Sequence, residues 1–143
     1  LQLAQRQIER RERMSTQSKL VIGLSLLMAT AIAVLTLSPI SAPPVGTVAQ
    51  SDKIYHAVAF AGLVLPIAFF RPRWLILATP VYAAFGGLIE IVQPLAGRDC
   101  NLGDWSADLI GLCLGVAVGR TAATVVPFGG QSSRWSAGGG RLP

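Results

Sequence analysis

The fold class predicted by this sequence is an all-α membrane protein, a bundle of four transmembrane helices with both termini cytoplasmic, and three observations carry that reading. Of 143 residues, 52% are hydrophobic and 13% charged, and the mean hydropathy is +0.54; an ordinary soluble domain has about 25% charged residues. The apolar residues run in long blocks instead of recurring at core periodicity, so lipid is the solvent they suit. The charges cluster between those blocks or near their ends.

The first block, Leu20 to Leu37, has no charge and ends at Ser38-Pro39; at 1.5 Å per residue it makes about 27 Å of helix, enough to span. The second runs from Ile54 to Phe70 with one His and one Pro, and Arg71-Pro72-Arg73 closes it, since no helix carries that tripeptide into hydrocarbon. The third begins at Trp74, stays uncharged until Glu90 and ends near Pro94. The fourth runs from about Trp105 to about Val126, with Asp108 near its start and Arg120 near its end. Residues 1–19 form a basic cytoplasmic N-terminal segment, 20–126 the transmembrane domain and 127–143 a flexible cytoplasmic tail rich in Gly and polar residues. Residues 1–13 read as a solvated extension, with a short interfacial helix as the alternative, and Met14 is an alternative start. A cleaved secretory signal is the lesser reading of the first block, because its apolar run is too long and no A-x-A site follows.

Positive residues accumulate on the cytoplasmic side. With the N-terminus inside, ten Lys or Arg fall inside, and only Lys53 and Arg98 fall outside. The net charge of +5 and pI near 10 therefore read as a topology signal. Nucleic acid is not an expected partner, since no basic stripe interleaved with aromatics exists; anionic membrane lipids are.

Ionisable groups near a span are costly and mark function by default. Asp52, Lys53 and His56 lie at the start of the second helix, Glu90 and Gln93 at the end of the third, Arg98 and Asp99 in the next loop, Asp104 and Asp108 at the start of the fourth. All fall at the outer boundary in the topology above. Asp52 and His56, Glu90 and Gln93, and Asp104 and Asp108 are spaced to share a helical face, so three helix ends could build one shallow polar pocket. His56, the only histidine, could be oriented by Asp52 for proton transfer; a hydrogen bond at the helix start is the plainer role. Asp52 and Asp104 each double as N-cap candidates. Glu90 calls for a partner, with Arg98 or Lys53 nearest, and Asp108 should be protonated or paired with Arg98 or His56. Gln93 serves either as interhelical glue or as a ligand contact.

Neither a cofactor nor a metal is expected. A hard-cation set of Glu90, Asp104 and Asp108 would suit Ca²⁺ or Mg²⁺, but one His gives little zinc signal. Cys100 and Cys113 are too far apart for a disulfide. Gly111, Gly115 and Gly119 form a small-xxx-small stripe that lets a neighbouring helix approach closely. Packing within the bundle is its simplest use; homo-oligomerisation or docking to a larger membrane complex is the sharper one. Pro66 and Pro80 fall inside the second and third helices and should kink them.

The series Ser51-Asp52-Lys53-x-x-His56-x-x-x-Phe60-x-x-Leu63, Glu90-x-x-Gln93, Gly97-Arg98 and Asp104-x-x-x-Asp108-x-x-Gly111-x-x-x-Gly115 resembles the VanZ-like membrane proteins over about residues 50–120. Many of those relatives carry Asn where this chain has Asp108. The resemblance implies a small multi-pass protein of the bacterial cytoplasmic membrane, in a family whose namesake is linked to teicoplanin resistance, and it supplies no established reaction. The functional expectation is a polar site at the extracytoplasmic boundary that binds or modifies an envelope lipid or glycopeptide-type ligand. The alternative is an accessory structural subunit of a larger complex. A lipid-carrier enzyme with His56 as base lacks a full catalytic set, and a transporter lacks an inverted repeat.

Overall fold

The computed structural model describes residues 2–38 and 48–126, and among these the chain is all helical. The expected flexible tail, 127–143, lies outside the described residues. Four helices are long and apolar enough to cross a membrane: α1 (Gln2–Leu37), α2 (Val48–Phe70), α3 (Leu75–Val92) and α4 (Leu102–Val125). Short 3₁₀ turns at Pro72–Trp74 and Gln93–Ala96 flank α3.

Helices α1, α2 and α4 start earlier than the apolar blocks suggest. Hydropathy marks only the part that suits lipid, while backbone hydrogen bonding carries a helix into polar sequence until a residue or turn stops it. Helix α2 thus takes in Ser51, Asp52 and Lys53, and α4 begins three residues before Trp105. Helix α1 shows the largest difference: it is helical from Gln2 onward, with Gln2, Gln5, Arg6 and Glu12 exposed in that first stretch. Its 36 residues amount to about 54 Å at 1.5 Å per residue, well beyond a hydrocarbon core of about 30 Å. Both α2 and α3 run through their internal prolines, Pro66 and Pro80.

Helices consecutive in sequence run antiparallel, so that α2 and α4 run parallel to each other, as contacts at both ends establish. At one end the Arg71 Nε donates to Ser18 Oγ at 3.1 Å and Arg120 reaches the Ala68 carbonyl at 3.4 Å. At the other, Arg98 after α3 meets the Thr36 carbonyl in the last turn of α1 and Asp52 near the start of α2, and Lys53 of α2 meets Asp104 in the first turn of α4. Helix α2 is central, and its tightest neighbour is α4. A Cβ on Gly111 would collide with the Ala57 carbonyl, one on Gly115 with the Ala61 carbonyl, and one on Gly119 with the Ala68 Cβ at 2.7 Å. The glycine stripe is therefore occupied inside the bundle, where absent side chains let two backbones touch.

The core is small: Ile32, Phe60, Leu63, Val64, Ile89 and Leu112, with Phe60, Leu63 and Val64 wholly buried. Phe60 and Phe85 stand with ring centroids 6.0 Å apart, and Trp105 Nε1 donates to the Ala83 carbonyl at 3.0 Å, tying α4 to α3. Large apolar side chains such as Ile76, Leu77, Ile91 and Val118 point outward, the arrangement expected where the surroundings are lipid. Cys100 and Cys113 are both free and exposed.

Candidate functional site

The polar residues gather at the end of the bundle where α1 and α3 finish and α2 and α4 begin. After α3, the Gln93–Ala96 turn ends at Gly97, whose φ of 74° lies in the left-handed region that glycine adopts without steric cost. That reversal, closed by Arg98 N–H to the Gln93 carbonyl at 3.1 Å, sends the chain back over the end of α3. Asn101 then caps α4, its side chain accepting the Gly103 N–H at 2.9 Å. The cap is thus Asn101 and not Asp104, which sits in the first turn; Asn101 has the extended backbone of an N-cap residue, whereas Asp104 is already helical.

His56 Nδ1 lies 2.9 Å from Asp108 Oδ1, with the side chains 5% and 0% exposed. The carboxylate on the ring is Asp108, across the narrow α2–α4 contact, and not Asp52 on the same helix. Asp52 sits at the rim, 3.8 Å from the Arg98 guanidinium. Arg98 also donates to the Thr36 carbonyl at 3.3 Å, and Gln93 Nε2 reaches the same oxygen at 3.5 Å. The last carbonyls of α1 have no partner within their own helix, so these two donors fasten the end of α1 to the site.

Glu90 departs from the expected ion pair with Arg98 or Lys53. Its Oε2 accepts the Asn101 backbone N–H at 2.9 Å, because Arg98 is engaged with Asp52 and Thr36 while Lys53 meets Asp104 Oδ1 at 3.4 Å. Glu90, Gln93 and Asp108 are 3%, 2% and 0% exposed, and the buried atoms Glu90 Oε1, Gln93 Oε1 and Asp108 Oδ2 have no protein hydrogen-bond partner. Most buried polar atoms are satisfied, so three orphan acceptors in one region are unusual. Asp108 Oδ2 packs against Gly86, where a Cβ would come within 2.5 Å.

All eight expected residues therefore share one end of the bundle, linked as Asp52 with Arg98, Lys53 with Asp104 and His56 with Asp108. Asn101 and the Thr36 carbonyl are additions; the signal for Asn101 was its place three residues before Asp104 in an Asn-Leu-Gly-Asp helix start. Nothing in sequence marks a backbone carbonyl. Chemically, the site offers an Arg at the rim, a Lys beside it and an inner ring of carboxylates around one imidazole.

Comparison with protein-family models, with curated proteins and with solved structures gave no match.

Proposed function

We propose that this protein binds or modifies a polar ligand at the membrane boundary, an envelope lipid or a glycopeptide-type molecule, in the manner the VanZ resemblance implies. The observation that carries the reading is convergence: polar side chains from α2, α3, α4 and the α3–α4 loop meet at one end, and buried acceptors there lack protein donors. Arg98, on the rim at 27% side-chain exposure, is the group to hold an anionic or carboxylate-bearing ligand, because its planar fork matches such oxygens. The Lys and Arg distribution supports an extracytoplasmic placement of this end, and the VanZ resemblance supports a bacterial cytoplasmic membrane.

The reading as an accessory subunit relies on the glycine stripe as a docking face, and that stripe is filled by α2. The ligand-binding reading is therefore favoured. Its test is Arg98→Ala at matched membrane abundance, followed by teicoplanin susceptibility of expressing cells and by capture of labelled teicoplanin and of labelled lipid-linked cell-wall precursor. Loss of both phenotype and capture is expected; wild-type behaviour of the variant overturns the reading.

A further inference from the structure

The deeper part of the polar end has a geometry that the sequence did not favour. Atoms able to ligate a metal on His56, Glu90 and Asp104 all lie within 4.8 Å of one another. Three atoms so spaced share a centre no more than about 2.8 Å from each, so shifts of under about 1 Å bring them to the roughly 2.0–2.2 Å of a first-row ion. The three side chains are 5%, 3% and 7% exposed residues from three different helices.

Two further observations point to a ligand there. Glu90 Oε1 is buried without a partner although its residue is nearly inaccessible. His56 is held through Nδ1 by Asp108, which leaves Nε2 free to coordinate. A carboxylate on one imidazole nitrogen with a metal on the other is the recurring outer-shell arrangement of metal-bound histidine. Charge argues the same way. Among the described residues, the three carboxyls Glu90, Asp104 and Asp108 meet one permanent cation, Lys53, and the His56 ring, which is charged only when protonated, and uncompensated charge at a buried membrane site is costly.

We propose that His56 Nε2, Glu90 and Asp104 hold a divalent first-row transition cation, Zn²⁺ or Mn²⁺, with Asp108 as the residue that orients the imidazole. One nitrogen with two carboxylates suits these ions better than Ca²⁺ or Mg²⁺, which select oxygen. Lys53, with 43% of its side chain exposed, can swing outward as the ion enters. The site does not depend on the identity of the ligand at Arg98.

The test uses the full chain in lipid nanodiscs, purified without a polyhistidine tag and with Cys100→Ser and Cys113→Ser so that no thiol competes. Because His56 is the only histidine, its ¹⁵N imidazole resonances report directly. One equivalent of Zn²⁺ should shift the Nε2 signal and saturate it, and Mn²⁺ should bind at the same stoichiometry by electron paramagnetic resonance. His56→Gln and Glu90→Gln should each weaken binding at least tenfold, and Asp108→Asn by about 10- to 100-fold. Absence of both a Zn²⁺-induced imidazole shift and a Mn²⁺-induced paramagnetic broadening of that signal at millimolar concentration overturns the site, as does undiminished binding in His56→Gln. The imidazole measurement needs no ligand substitution, so it decides the matter even where a variant fails to fold.

Discussion

His56 and Asp108, 52 positions apart in the chain, meet at 2.9 Å where α2 and α4 pack most tightly, one glycine turn from the Ala57–Gly111 backbone contact. The polar pair and the backbone contact reinforce each other. Close approach lets a short Asp side chain reach the imidazole, and the paired groups make it tolerable to keep both out of water.

Removing one member of this pair should therefore cost more than removing both. His56→Ala alone strands the Asp108 carboxylate and is expected to destabilise by about 3–5 kcal/mol. The double variant His56→Ala/Asp108→Ala should recover part of that, with a coupling of about 1–3 kcal/mol. Reversible unfolding in mixed micelles measures it; additive losses would show that the pair is not coupled.

Substitutions along the glycine stripe should follow the backbone contacts. Gly111→Ala and Gly115→Ala meet the Ala57 and Ala61 carbonyls, which cannot rotate away, whereas Gly119→Ala meets an Ala68 methyl and Gly23→Ala meets nothing within 4 Å. Losses of about 1–3 kcal/mol are expected at the first two, less at Gly119 and none at Gly23, read as detergent-solubilised melting temperatures.

Asn101→Ala should cost about 1 kcal/mol through loss of the α4 cap, while Asn101→Asp should restore most of it. The Glu90 contact uses the backbone N–H of Asn101 and survives both changes.

The two cysteines report sidedness without added probes. Cys100 is exposed in the α3–α4 loop at the polar end, and Cys113 is exposed near the middle of α4, facing the lipid. With the polar end extracytoplasmic, as proposed, a membrane-impermeant maleimide should label intact cells at Cys100 and leave Cys113 unreacted. Labelling of Cys100 only after permeabilisation would reverse the topology.

The four spans were legible because lipid solvation imposes long apolar runs that no other environment selects. Their polar extensions were not: the start of α4 is set by the Asn101 cap that follows the Gly97 reversal, local geometry without hydropathic contrast. The residues of the site were legible as a set because ionisable groups are rare in such a chain. Their pairing was legible in part: His56 stands among the partners the sequence offers Asp108, but spacing along one helix offers Asp52 to His56 as well, and the rotation that decides for Asp108 is fixed by glycines facing Ala57 and Ala61. That same rotation set His56 beside Glu90 and Asp104, which no intrahelical spacing reports.

The α2–α4 contact also imposes an order on biogenesis. Helix α2 leaves the ribosome some fifty residues before α4, carrying an imidazole that has no partner until Asp108 arrives. Until then α2 is an incomplete membrane segment, with bare Ala57 and Ala61 carbonyl edges and a polar ring that favours the water boundary. Helix α4 enters with a buried-to-be carboxylate of its own, so the two become comfortable in lipid only together. The α2–α4 pair is then the expected unit of stable packing, and a chain truncated before Asp108 should turn over faster than the full chain in a pulse-chase measurement.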